Sequence, residues 1–317
     1  MNKLPVRTPT LQLGFYKRLR EAENSYLLPA LFQCVGSIKI ESIDTELSQY
    51  VTNEKLSFVA KKGIRGELVY PVPIILRSNP QLIAYYRLFL GFSQKEFYTD
   101  SFSKFKSMEA NAKLSANNEK LLPELCHSLI ESSWILLNGL PEISESIIKS
   151  LTLLTLGPQF RGSRNVNLGV EAIQTVFALI KSAVSENLLD ESDTHMLVES
   201  AAGRKYIIEF APDPDIVIKQ LLDNGKMRNR IAIEVKGGTD FSNIHNRLGE
   251  AEKSHQKAKS DGFTQCWTII NVADIARETW KQESPTTNEL FYLEKISDVQ
   301  SEEFLKFEEY LISELGL

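Results

Sequence analysis

Glu234 and Lys236 stand two residues apart in Ile231-Ala232-Ile233-Glu234-Val235-Lys236-Gly237-Gly238, an apolar, β-branched run that reads as a strand. Side chains alternate along a strand with a period of two, so the carboxylate and the amine project from one face into one pocket. Upstream lies Ala211-Pro212-Asp213-Pro214-Asp215, a proline-punctuated turn that delivers a second acid from the preceding strand. Two carboxylates beside a lysine form an oxygen-rich site for a hard divalent cation. Such a set suits phosphodiester hydrolysis, which needs a hydroxide nucleophile, in-line geometry and stabilised charge on the phosphoryl oxygens and leaving alkoxide.

The chain contains a single Asp/Glu-x-Lys triplet, so only one place in it can carry this chemistry. Asp215 or Asp213, together with Glu234, is expected to hold one or two Mg2+ ions. Lys236 is expected to orient or help deprotonate the attacking water and to counter the charge of the scissile phosphate. The choice between Asp213 and Asp215 is a question of parity, which Pro212 and Pro214 interrupt; Asp215 is favoured. A plainer reading of Glu234 and Lys236 is an edge strand with two solvated charges. The Pro-Asp turn and the small Gly237-Gly238 exit, which lets a backbone approach closely, weigh against it. Glu171, in the first turn of a helix starting at Gly169, is open to two readings: a further acid of the site, or a carboxylate placed at a helix N-terminus for its dipole.

Two polar segments flank these residues. Phe160 to Asn167 carries Arg161, Arg164 and Asn165 just before that helix start, suiting phosphate contact or base-edge readout. A capping loop with solvated arginines is the rival reading. Ser242 to Lys259 reads as a helix with a thin apolar stripe (Ile244, Leu248, Ala251) and a wide polar face bearing Asn243, Asn246, Arg247 and His255. That face either lies along DNA or is simply solvated.

The elements that must position these groups follow from periodicity. Leu82, Tyr85, Tyr86, Phe89 and Leu90 recur at helical spacing after Asn79-Pro80, a stripe expected in a core rather than under a nucleobase. Helices are also expected over Leu121 to Leu140 and Ser144 to Leu156, with short strands around Ile38 to Ile40 and Leu68 to Ile75. Residues 1–156 thus form a mainly helical region. Beyond residue 157 the pattern becomes a helix to Val184, strands at His195 to Ser200, Lys205 to Phe210 and Arg230 to Lys236, the polar helix, and a strand at Thr264 to Val272. Helix, three strands, helix, strand is the order of an α/β nuclease core with a mixed sheet, assigned to residues 157–317.

Composition bounds the rest. With 317 residues, 43% of them hydrophobic, the chain can bury a full core. No apolar run is long enough to span a bilayer and the first ten residues lack a signal-peptide core, so no membrane partner and a cytoplasmic location are expected. Cys34, Cys126 and Cys266 show no zinc spacing and read as reduced thiols. A net charge of -5 argues against a nonspecific polycation, yet allows a locally basic cleft with metal-neutralised carboxylates.

Pro-Asp, then Glu-Val-Lys-Gly-Gly, then Ser242-Asn-Ile-His-Asn-Arg-Leu-Gly-Glu-Ala-Glu-Lys-Ser-His255 together resemble the PD-(D/E)xK superfamily as it occurs in type II restriction endonucleases, and in particular the XcyI family. Tyr85 to Tyr98 in the helical half resembles that family too. The resemblance implies a restriction-endonuclease-like core in which Asp215, Glu234 and Lys236 match the catalytic motif. It also implies a Mg2+-dependent homodimer cutting both strands of double-stranded DNA at a palindrome of the CCCGGG type, with 5'-phosphate ends. The doubled Pro-Asp departs from the simplest form of the motif and leaves the first ligand between Asp213 and Asp215.

Overall fold

The computed structural model describes residues 6, 8–272 and 275–317. The chain divides into two compact units, one ending at Gly162 and one from Ser163 to Leu317.

The first unit is helical. Its core gathers Leu31, Ile43, Val69, Ile75, Tyr85, Tyr86, Phe89, Leu122 and Ile130, all nearly or fully buried. The aromatic stripe on the helix Ile83–Phe89 is core, as its spacing predicts. Each tyrosine hydroxyl in it donates to a backbone carbonyl, Tyr85 to Leu68 and Tyr86 to Glu67, both at 2.8 Å, so neither polar tip is left unsatisfied. Arg87, fully buried on the same helix, is neutralised by a two-pronged pair with Glu109 at 2.8 and 2.9 Å. The strands expected around Ile38 and Leu68 are absent. Leu68 to Ile75 contains Pro71 and Pro73, which cannot donate to a ladder, and the chain there forms a short 3-10 turn, Gly66–Leu68, and the helix Pro73–Ser78. Ile38 and Lys39 are the extended link between helices Leu28–Ser37 and Ile40–Tyr50.

The second unit is built on a seven-stranded sheet whose spatial order follows the sequence: β1 (Leu188–Glu191), β2 (His195–Glu199), β3 (Lys205–Phe210), β4 (Ile216–Leu221), β5 (Met227–Lys236), β6 (Gln265–Ile270) and β7 (Glu289–Tyr292). The first five strands form an antiparallel meander, while β6 and β7 join parallel to β5. A parallel return requires a crossover, and between β5 and β6 it is the helix Ile244–Ser260, the site helix. β5 is covered on both faces, which explains its unbroken apolar run. Ile231, Ile233 and Val235 meet Val176 and Ile180 of the long helix Glu145–Ala183 and Phe307 and Leu311 of the C-terminal helix Glu302–Leu315. Ala232 faces the other way, toward Ala258 of the site helix.

Three strands and one loop depart from the sequence reading. β1, β4 and β7 were not expected; β4 directly follows the Pro-Asp turn, and β1 and β7 are four residues each. Arg161, Arg164 and Asn165 lie inside the long helix Glu145–Ala183 rather than in a loop, and Gly157, Pro158 and Gly162 fall within the same helix. Among the described residues no helix is long and apolar enough to cross a membrane, and the three cysteines are free and buried.

Candidate active site

Ile216 pairs with Ile233 across β4 and β5, so the turn ending at Asp215 comes down beside Glu234. The Asp215 carboxylate accepts a hydrogen bond from the Val235 amide at 2.7 Å. Parity on β5 does the rest: Glu234 and Lys236 share the face of Ala232, toward the site helix, and Lys236 Nζ donates to Glu234 Oε1 at 2.8 Å. The alternation expected of Glu-x-Lys on a strand is therefore realised, and the strand is central rather than an edge.

The two aspartates have separate surroundings. Asp213 is exposed and held by the site helix, accepting from Ser254 Oγ at 2.6 Å and Lys257 Nζ at 2.9 Å. These partners, Ser254 first, hold its carboxyl below the usual range. Asp215 is half-buried. Burial, and after it the Glu234 charge, pushes it up to about 6. Burial acts to lower the Lys236 ammonium, but Glu234 outweighs it and the net shift is upward; the lysine is a cation at neutral pH.

The site helix contributes more than the sequence reading assigned to it. Glu250, Ser254 and Lys257 recur at helical spacing on one face. Glu250 lies 3.5 Å from Lys236 Nζ, Ser254 Oγ is 2.8 Å from Glu234 Oε2 as well as against Asp213, and Lys257 pairs with Asp213. The opposite face is anchored by polar contacts: Glu252 accepts from the Thr286 amide at 2.9 Å and its hydroxyl at 2.6 Å, and from Ser284 at 3.2 Å. His255 belongs to this anchor. It is fully buried, with Nε2 2.8 Å from Thr268 Oγ1, and burial drops its pKa to about 4. The expectation that it contacts DNA is corrected: Ile244, Leu248, Ala251, His255 and Ala258 form one buried stripe.

The other expected contacts are dispersed. Glu171 is not in a first helical turn; it is exposed within the long helix, which packs on the β5 face opposite Glu234. Arg161, Asn165, Asn243 and Asn246 are exposed, and Arg164 is half-buried. Arg247 donates to the Gly238 carbonyl and packs its guanidinium against that glycine. At Gly237 the predicted close approach is present: a Cβ there would collide with Ala172 and the Leu168 carbonyl of the long helix. Among the described residues no three His, Cys, Asp or Glu side chains converge as a ready-made metal cluster.

A family model described as XcyI restriction endonuclease matches residues 16–317. The type II restriction enzyme Cfr9I of Citrobacter freundii is 42% identical over 318 residues, which cover 98% of this chain and 96% of that protein. The type II restriction enzyme XcyI of Xanthomonas campestris pv. cyanopsidis is 41% identical with the same coverage. A likeness that runs through both units at this level leaves one conclusion, that the chain belongs to the XcyI restriction endonuclease family.

Proposed function

We propose that the chain is a type II restriction endonuclease of the PD-(D/E)xK kind, hydrolysing both strands of double-stranded DNA at a short palindrome of the CCCGGG type and leaving 5'-phosphates. It works as a cytoplasmic homodimer with Mg2+, its nuclease core in residues 157–317 and its helical region in 1–156. The observation that carries this reading is the cluster in which Asp215, just ahead of β4 and bonded to the Val235 amide, comes beside Glu234 of β5 with the Lys236 ammonium 2.8 Å from Glu234.

The donor set fits a small divalent cation. Two carboxylates share a partly buried site, and burial first, then the Glu234 charge, pushes Asp215 up to about 6, so a cation there would relieve it. Asp215 and Glu234 would hold the ion, which supplies Lewis acidity and charge to activate water and stabilise the phosphoryl oxygens. Lys236, a cation, places a donor and a positive charge beside the phosphate rather than serving as a base. Asp213, occupied by Ser254 and Lys257, supports the choice of Asp215 as first ligand. The exposed Arg161, Asn165, Asn243 and Asn246, with Arg164 and Arg247, offer phosphate and base contacts.

Incubating the purified protein with unmethylated phage DNA, with and without Mg2+, tests the reading. Discrete fragments that require the metal are expected, and end-mapping gives the site. A smear would assign a nonspecific or structure-directed nuclease, and intact DNA in both samples would mean that the site does not cut DNA.

A further inference from the structure

Ser254 occupies a position with an arithmetic constraint. Its hydroxyl carries one hydrogen, yet its oxygen lies 2.6 Å from Asp213 Oδ1 and 2.8 Å from Glu234 Oε2, two carboxylates on different elements. The side chain is buried, so water cannot substitute for it freely. Each acid has a second, cationic partner: Lys257 for Asp213 and Lys236 for Glu234. The one hydrogen serves Glu234 Oε2 or Asp213 Oδ1; when it serves Glu234, with Lys236 on Oε1, both oxygens of that carboxylate are held, and Asp213 keeps Lys257 as its donor. The site helix that carries Ser254 is itself pinned by Glu252 to Ser284 and Thr286 and by His255 to Thr268. The hydroxyl is therefore held in place from behind.

We infer that Ser254 is a positioning residue for the cleavage reaction: it orients Glu234 by giving its hydrogen to Oε2, while Lys257 keeps Asp213 against the site helix and Asp215 is left beside Glu234. The assignment rests on the site proposed above. It accounts for two features the acid–lysine motif leaves unexplained: why one aspartate of the doubled Pro-Asp is drawn to the site helix, and why a buried serine sits on the charged side of this helix.

Three variants, each measured with the full chain, test it: Ser254→Ala, Ser254→Thr and, as the reference for the site itself, Glu234→Gln. The readouts are single-turnover cleavage, binding of target duplex in EDTA, and the rise in Tm on adding Mg2+. Ser254→Ala is expected to bind duplex as the parent does and to cleave about 10- to 100-fold more slowly, the usual loss when the partner of a ligand is removed. It should also need several-fold more Mg2+ for half of the Tm rise. Ser254→Thr, which keeps the hydroxyl, should recover most of both. Parent-like turnover and Mg2+ response in Ser254→Ala, with Glu234→Gln inactive, would overturn the role of Ser254 alone. Undiminished cleavage by Glu234→Gln would overturn the site and this inference with it. If Ser254→Ala does not fold, Lys257→Met, at an exposed position, carries the test: slower cleavage at unchanged duplex affinity supports the role, and parent-like turnover refutes it.

Discussion

The carboxylate of Asp215 is held 2.7 Å from the amide of Val235, the residue between the site's glutamate and lysine. One backbone hydrogen bond thus sets the spacing between the two acids. It does not satisfy the aspartate, whose pKa burial and Glu234 still push up to about 6.

Asp215→Asn should therefore abolish cleavage and yet stabilise the metal-free protein. The sign follows from linkage. The folded-state value lies above the unfolded one of about 3.9, so the ionised carboxylate opposes folding above pH 6, and the penalty fades as pH falls toward 4. Asparagine keeps the acceptor for Val235 and removes the charge. In EDTA at pH 7.5 the gain should be roughly 1 to 2 kcal/mol, discounted for partial solvation. Urea unfolding at pH 7.5 and pH 4 checks it; a variant less stable than the parent at the higher pH would refute it.

Lys236→Ala should leave duplex binding in EDTA nearly intact while lowering the cleavage rate about 100- to 1000-fold, the loss typical when one donor to developing charge is removed. Gel shifts beside single-turnover kinetics separate the two quantities. Equal losses in binding and cleavage would make the lysine a DNA anchor instead.

Gly237→Ala places a methyl group against the Ala172 side chain and the Leu168 carbonyl. Backbone on one side and a buried alanine on the other cannot swing away, so the strand end must shift, at about 1 to 3 kcal/mol. Because Lys236 is its neighbour, cleavage should fall more than thermal stability explains. An unchanged Tm and rate would show that the contact relaxes freely.

His255 gives a stability signature below neutral pH. Its folded-state value of about 4 lies below the unfolded value, so the neutral ring favours the fold above pH 6.5 and that advantage is lost as pH falls toward 4. The slope is at most about 1.4 kcal/mol per pH unit. Between pH 7.5 and pH 5, His255→Gln should lose about 2 kcal/mol less stability than the parent. Matching slopes for the two chains would refute the assignment.

How much of this was legible beforehand varies from residue to residue. Glu234 and Lys236 could be placed because strand parity is strict and local, and the Gly-Gly exit signalled the close approach realised at Gly237. His255 was misread although its signal was present. It extends the spacing of Ile244, Leu248 and Ala251 by one turn, and a polar residue type masked a buried position. Glu250, Ser254 and Lys257 carried a similar signal, but which residues they meet depends on β4 and β5 lying beneath the helix. β4 itself was hidden by the Pro-Asp turn that it follows. The arginines near residue 161 were placed ahead of a helix start at Gly169 because the polar, glycine-containing segment there offers no apolar period to follow, whereas one helix runs from Glu145 to Ala183.

The side chains gathered at the acid–lysine cluster all come from the stretch between Asp213 and Lys257: one turn, one hairpin, one strand end and one crossover helix. Apart from the Glu234–Lys236 pair these contacts bridge 20 to 44 residues, so the cluster closes only when the turn, β5 and the crossover helix have docked on one another. The groups of the proposed cutting site are thus drawn from one continuous stretch of chain, while the parts that brace them, Thr268, Ser284, Thr286 and Ala172, lie outside it.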